Sequence, residues 1–400
     1  MCEPLKDKTI ALGVTGGIAA YKSVELLRLL TKAGARVRVI MTGNAKWFVG
    51  PGTFQALSGL PVCDSVFEEG DASIRHIDWA RDTDLAVIAP ATANIIGKLA
   101  GGIADDALST FMLAVTAPVV ICPAMNTHMY EHPAVQRNLD TLQGYGFHIV
   151  EPDAGSLACG TVGPGRLATP ENICEEAAAV LTPKDLKGRT ILLTAGPTRE
   201  AIDPVRFVSN PSSGKMGFAL ARAASRRGAR VILVSGPVSL ADPLHVEVHR
   251  VESASEMAAC VCTLLPEADL IIKTAAVGDY RPSRVADQKI KKAEEHLSIE
   301  FERTTDILKT IGQQKAHRVL VGFAAETQQL RDNAQQKLEA KNLDMIVANR
   351  IGETGSGFAV DTNKVTLLYR DGREERLPVM AKDALAHELL NRIAPMLPSA

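Results

Sequence analysis

The chain is predicted to form two three-layer α/β units in series, each a mainly parallel sheet with helices on both faces. Three observations predict this. Short apolar runs of strand length alternate with helix-length segments throughout. The order strand, glycine-containing turn, helix, strand occurs twice, from Thr9 and again from Ile191. A length of 400 residues also exceeds what one hydrophobic core ordinarily serves. The expected layout is a first domain over 1–180, a linker over 181–189 within the polar stretch LTPKDLKG, and a second domain over 190–400.

Composition narrows the function classes. With 46% hydrophobic residues, 22% charged residues and a formal net charge of -2, nothing electrostatic points to nucleic acid or a membrane surface as a partner. The charged opening MCEPLKDK runs directly into a strand, so a basic-plus-apolar export signal is not expected. The long uncharged run Ala107–Met125 contains Pro118 and Pro123, so it reads as a helix end followed by a buried strand rather than a membrane span. Seven scattered cysteines without zinc spacing suit small core residues in a reducing cytoplasm.

In the first half, strands are expected at Thr9–Val14, Val37–Met41, Leu85–Ala89, Val119–Cys122 and His148–Val150. Helical patterns include Lys22–Ala33 and Gly97–Met112. Ligands of such sheets sit beyond the C-terminal strand ends. The unusual residues gather there, at Thr15–Gly17, Thr42–Asn44, Pro90–Asn94 and Pro123–Asn126. GVTGGIAAYK is not G-x-G-x-x-G, and the next strand ends without an acid, which disfavours a nicotinamide dinucleotide. The turn suits either a single phosphate on helix N–H groups or simply close packing of helix on strand. Thr92, Asn94 and Lys98 suit hydrogen bonding to a flat polar ring system or its phosphate; alternatively Thr92 or Asn94 caps a helix and Lys98 is solvated. Met125, Asn126, Met129 and Tyr130 form a loop that covers something, with an amide able to hold a carboxylate or a cofactor oxygen. His76, at an apolar helix edge, reads from the residues alone as a packing histidine. Cys159, in a loop punctuated by glycines from Gly155 to Gly165, suits a proton carrier or nucleophile as well as a structural thiol.

TGGIAAYK, PATANIIGK, PAMNTHMY and ACGTVGPGR, in this order with His76 ahead of the last three, resemble the flavin-dependent phosphopantothenoylcysteine decarboxylases across about residues 5–180. The resemblance implies a flavodoxin-like, Rossmann-like flavoprotein with FMN bound by Gly16, Gly17, Thr42, Thr92, Asn94, Lys98 and Met125. It implies His76, Asn126 and Cys159 as catalytic residues. Tyr130 stands where many members carry Trp and Thr161 where Asp is common; neither change removes a group the mechanism needs. Loss of CO₂ from a carbon without an electron sink is prohibitive. Oxidation of the thiol carbon to a thioaldehyde lets the charge delocalise as an enethiolate, after which the hydride returns and Cys159 gives the proton. His76 would assist proton removal and Asn126 would orient the carboxylate.

In the second half, strands are expected at Ile191–Thr194, Val231–Ser235, Leu270–Thr274, Val319–Phe323 and Met345–Ala348. A late pair is expected at Ala359–Val360 and Lys364–Tyr369, and a closing helix over Ala381–Ile393. Between the first of these strands and the helix Met216–Arg227 lies a long turn region rich in Gly, Pro, Ser and Asn. Its SNPSSGKMG fails the Walker spacing at Ser209 and Met216 yet still offers an anion nest. Lys337 and Lys341 share a helical face, and Lys289 could simply be solvated.

TAGPTRE, SNPSSGKMG, AAVGDY, KIKK and GFAAET together are similar to the phosphopantothenate–cysteine ligases over about residues 188–395. The fused order resembles the bacterial bifunctional coenzyme A biosynthesis proteins, whose ligase uses CTP. That resemblance implies a Rossmann-like ligase domain with a late β-hairpin. It places Asp279, Lys289, Phe323, Lys337 and Lys341 on the nucleotide and Thr305, Asp306, Ile307 and Leu308 along its base or sugar. Asn210 would meet the acyl intermediate, and Arg206 and Ala276 the substrate. Thr304-Thr305 stand where the family loop reads Asn-Pro. The implied reaction joins 4′-phosphopantothenate to L-cysteine through an acyl-cytidylate. Lys289 neutralises the α-phosphate, Mg²⁺ bridges the triphosphate and Asp279 holds metal or ribose. The implied assembly is a homo-oligomer, trimeric through the first domain and dimeric through the second. A flavin-binding regulatory or scaffold protein is the alternative from another class, and a flavin oxidoreductase fused to a nucleotide-binding module is a third. His76, Asn126, Cys159, Asn210 and Lys289 argue against a scaffold, which needs none of them.

Overall fold

The computed structural model describes residues 3–65, 75–156, 160, 162–291, 297–326, 330–350, 357 and 360–398. The chain divides into two compact units, Met1–Thr182 and Pro183–Ala400.

In the first unit β1 (Thr9–Val14), β2 (Arg36–Met41), β3 (Leu85–Ala91), β4 (Val119–Pro123) and β5 (His148–Ile149) form one parallel sheet in the order β2-β1-β3-β4-β5. This is the flavodoxin-like order, whose ligand crevice opens between β1 and β3. Every residue of β3 is buried, as expected for a strand covered on both faces. One apolar layer centres on Leu12, Leu27 and Ile173, the other on Ile88, Leu108 and Phe111. The single helical pattern expected over Gly97–Met112 is two helices, Ala93–Ala100 and Ala107–Ala114. The break follows from Gly102 at φ 66 and from Asp106, which starts the second helix in a capping box with Ser109. The glycine-rich stretch after β5 contributes to a hairpin, β6 (Asp153–Ser156) with β7 (Val162–Arg166), with Gly155, Gly163 and Gly165 in its strands.

The second unit begins with β8 (Thr190–Ala195). The turn region that follows holds a small hairpin, β9 (Arg199–Ala201) with β10 (Phe207–Ser209), before the helix Lys215–Arg226. The main sheet adds β11 (Arg230–Ser235), β12 (Val246–Arg250) and β13 (Leu270–Lys273). A second small hairpin pairs β14 (Tyr280–Pro282) with β15 (Phe301–Arg303). β16 (Val319–Glu326), β17 (Met345–Arg350), β18 (Thr362–Tyr369) and β19 (Glu374–Ala381) complete the main sheet in the order β12-β11-β8-β13-β16-β17-β18-β19. Its first six strands run parallel with the doubly wound dinucleotide-fold order, and β18 and β19 add antiparallel. The late hairpin thus pairs Lys364–Tyr369 with the strand after it, not with Val360; Ala359 lies outside the described residues. The closing helix Lys382–Ile393 packs on the helix Lys215–Arg226, tied by Arg226 to Asp383 at 3.1 Å in a buried ion pair. Among the described residues no helix is long and apolar enough to cross a membrane.

Candidate functional sites

The first site lies at the C-terminal ends of β1, β3 and β4, where a cavity of about 960 Å³ opens. Gly16, Gly17, Thr42, Thr92, Asn94, Lys98, Met125 and Asn126 all line it, although they come from four separate sequence stretches. Thr15 joins two of these walls: its hydroxyl donates to the Pro90 carbonyl at 2.7 Å and accepts from the Thr92 N–H at 3.2 Å. A Cβ on Gly16 would sit 2.4 Å from the Cβ of Asn44, so only glycine lets the first turn meet the loop after β2. Thr92 occupies the N-cap of the helix Ala93–Ala100, yet its side chain makes no capping bond there. Lys98 is not a solvated lysine. It pairs with Asp105 at 2.5 Å and Asp106 at 2.8 Å, which raises its pKa and keeps it charged.

Asn126 caps the short helix Thr127–Tyr130 by accepting the His128 N–H at 2.9 Å. The hairpin β6–β7 docks on this segment, with the Met125 N–H donating to the Gly165 carbonyl at 2.9 Å. Gly165 sits at φ 127, and a Cβ there would fall 2.3 Å from the Met125 carbonyl oxygen. The hairpin that carries the Cys159 loop is thereby fixed against the cavity wall. Cys159 itself lies outside the described residues; His76 sits on the helix Arg75–Arg81, and its side chain is likewise outside them. Cys122, in β4, is a core thiol pushed far up by burial, with Glu176 adding to the shift.

Two cations on the cavity wall carried no separate assignment from the sequence, Lys22 and Arg166. Lys22 is buried and donates to the Leu167 carbonyl at 3.0 Å; burial and the nearby Arg166 charge lower its pKa. Lys22 belongs to the TGGIAAYK motif, but its contact lies 145 residues away.

The second site is a pocket of about 430 Å³ at the C-terminal ends of β13, β16 and β17. Asn210, Ala276 and Phe323 line it, with Ser212–Lys215 forming one wall. The Asn210 amide donates to the Val277 carbonyl at 3.0 Å, which orients the side chain across the turn after β13. A Cβ on Gly217 would meet Ala195 and Thr274 within 2.6 Å, so the helix can start directly on the strand ends. Lys273 and Lys382 also line the pocket, and neither was singled out from the sequence. The Lys273 side chain makes no hydrogen bond or ion pair among the described residues. Burial and the charge of Lys341 push it down to about 8, with Lys337 adding and Asp306 and Asp279 opposing.

Other predicted residues do not line this pocket, although Lys337, Lys341, Asp306 and Asp279 lie near enough to act on Lys273. Lys337 lies on the helix Leu330–Ala340 and Lys341 just past its end, paired with Asp306 at 3.0 Å. Asp306 also caps the helix Ile307–Gln313. Ile307 and Leu308 bury their side chains in the core under the sheet, while Thr305, Asp279 and Lys289 are exposed. Arg206 has its guanidinium engaged, through Nε to Asp203 at 2.9 Å and through Nη2 to the Ile290 carbonyl at 2.6 Å.

Comparison with known proteins bears on both sites. Residues 2–182 match the Flavoprotein family, and residues 186–396 match the C-terminal domain of the DNA/pantothenate metabolism flavoproteins. The coenzyme A biosynthesis bifunctional protein CoaBC of Bacillus subtilis (strain 168) is 52% identical over 397 residues, covering 98% of each chain. The Escherichia coli (strain K12) protein of the same name is 47% identical over 395 residues, covering 97% of each. The chain belongs to the bifunctional coenzyme A biosynthesis proteins. It is an enzyme with two activities, a phosphopantothenoylcysteine decarboxylase in its flavoprotein unit and a phosphopantothenate–cysteine ligase in the second unit. A crystallised C-terminal domain of CoaBC is 48% identical, covering 53% of this chain and 97% of that one, with a TM-score of 0.47.

Proposed function

We propose that the first cavity holds FMN together with the acyl-cysteine substrate, and that the second pocket activates 4′-phosphopantothenate with CTP. The observation that carries the first assignment is the convergence of Gly16, Gly17, Thr42, Thr92, Asn94, Lys98, Met125 and Asn126 on one cavity. Its size suits a flavin, and the Gly16 turn brings backbone close to where a phosphate would sit. FMN supplies a two-electron acceptor that ends each turnover unchanged. Around it, Asn126 orients the carboxylate that leaves as CO₂; the His128 N–H on its Oδ1 fixes the amide so that its NH₂ meets that group. His76 takes the thiol proton, and Cys159 delivers a proton to the product carbon.

In the ligase, the Ser212–Lys215 wall and the lysines around Lys273 receive the phosphates. Lys289 neutralises charge at the α-phosphate, and Asn210 holds the mixed anhydride until the cysteine amine displaces CMP. Phe323, Lys337, Lys341, Thr305, Asp306 and the backbone of Ile307–Leu308, whose side chains are buried in the core, form the nucleotide side, with Arg206 and Ala276 toward the acyl substrate. Asp279 would hold the Mg²⁺ or the ribose, and the ion would offset the charge of the triphosphate. The thiols of cysteine and of the product suit a reducing cytoplasm. Ile18 and Tyr21 at the first cavity, and Val205, Phe207 and Val208 on the second unit, offer exposed apolar surface for the homo-oligomeric contacts proposed here, trimeric through the first unit and dimeric through the second.

The test is direct. The purified protein carries an FMN spectrum and releases CMP from CTP only when both 4′-phosphopantothenate and cysteine are present. A colourless protein, or CMP release that needs neither substrate, overturns the assignment.

A further inference from the structure

We propose that Asp203, acting with Arg206, is a positioning residue of the ligase reaction, clamping the backbone of Ile290 and so setting the reach of the adjacent Lys289. The proposal rests on the assignment of Lys289 to the α-phosphate.

Asp203 lies in the tight connection between β9 and β10, and its side chain has no exposure. A buried carboxylate must be matched by donors. Here Oδ1 accepts the N–H groups of Val205 and Arg206, both at 2.8 Å, which closes the turn. Oδ2 reaches outward and accepts the Arg206 Nε at 2.9 Å and the Ile290 N–H at 3.2 Å. Arg206 then returns to the same residue, with Nη2 donating to the Ile290 carbonyl at 2.6 Å. Both backbone groups of Ile290 are therefore held by one ion pair. A further rung, the Ala286 N–H to the Ile202 carbonyl at 3.0 Å, lies four residues earlier. Among the described residues, the hydrogen bonds holding the backbone of residues 284–291 all run to this turn. Lys289 is exposed and makes no hydrogen bond or ion pair of its own among the described residues. Its location is set by its neighbour. Although burial opposes it, the Val205, Ile290 and Arg206 N–H groups and the Arg206 guanidinium hold the Asp203 carboxyl below its ordinary range, so the clamp is charged at every working pH.

The experiment measures pyrophosphate release from CTP by the full chain carrying Asp203→Ala, Asp203→Asn, Lys289→Gln and the Asp203→Ala/Lys289→Gln pair. Decarboxylation of supplied substrate serves as an internal control. Loss of positioning should lower the pyrophosphate rate of Asp203→Ala by roughly 10–100-fold, with Asp203→Asn in between because its amide oxygen still closes the turn. In the Lys289→Gln background the same change should cost nothing further. Amide exchange over residues 284–291 should accelerate in Asp203→Ala. Equal losses with and without Lys289, a full rate in Asp203→Ala, or unchanged exchange over 284–291 would each overturn the proposal. Full activity in Lys289→Gln with accelerated exchange in Asp203→Ala would instead remove the role of Lys289 and leave only a structural clamp.

Discussion

Both units start with a strand, a glycine turn and a helix, yet the first encloses about 960 Å³ and the second about 430 Å³. The contrast in charge is larger still. On the first wall Lys98 is neutralised by Asp105 and Asp106, and Lys22 is bound to a backbone carbonyl. In the second pocket Lys215 is paired with Asp361 at 2.6 Å and Lys382 is bound to the Gly357 carbonyl at 3.2 Å, but the Lys273 side chain has no hydrogen-bond or ion-pair partner among the described residues, and Lys337 and Lys341 are close enough to bear on it. A site whose electronic work is done by a flavin needs shape, an amide and a proton carrier. A site that makes a carboxylate attack a triphosphate needs positive charge held ready.

Variants that strike one unit should leave the other intact, and each tests that contrast. The largest effect is expected for Cys159→Ser, which should slow decarboxylation of supplied substrate by ~10²–10⁴-fold without changing CMP release. Loss of CMP release as well would tie the two sites together. Lys289→Gln should do the reverse, lowering pyrophosphate release by ~10²–10³-fold while the flavin spectrum and decarboxylation persist. Gly165→Ala should destabilise the hairpin against Met125 by about 1–3 kcal/mol, visible as lower thermal stability and faster flavin release. Unchanged flavin retention would show that the hairpin does not close the cavity.

The smallest effect concerns pH. Lys273 is charged below about 8 and neutral above it, so triphosphate binding should weaken as pH rises through that value. A bound triphosphate raises the pKa again, so the fall should be at most ~tenfold per pH unit, and Lys273→Met should flatten it. An identical pH profile in wild type and Lys273→Met would exclude Lys273 from the anion site.

The alternation of elements was legible because buried parallel strands are nearly pure apolar runs: β1, β3, β8 and β13 all fall where the sequence places them, within two residues. What escaped were short or edge strands without that signature. Each residue of β10 and β15 is exposed, and β12 alternates weakly, so no hydrophobic period marks them. The break at Gly102 was hidden because residues on both sides keep a helical pattern. Among site residues, Lys22, Lys273 and Asp203 went unassigned because their surroundings come from distant parts of the chain, up to 145 residues away.

The sequence by itself determined the two α/β units and the motifs at the strand ends, because strand periodicity and turn chemistry are local properties; the fused order of the two chemistries was legible only through the family resemblance those motifs carry. Only the tertiary structure decided which of those motifs share a cavity, that Lys98 is paired while Lys273 is not, and that Arg206 is engaged with Asp203 and Ile290. Burial and charge pairing are sums over neighbours that the fold brings together, and no window of sequence contains them.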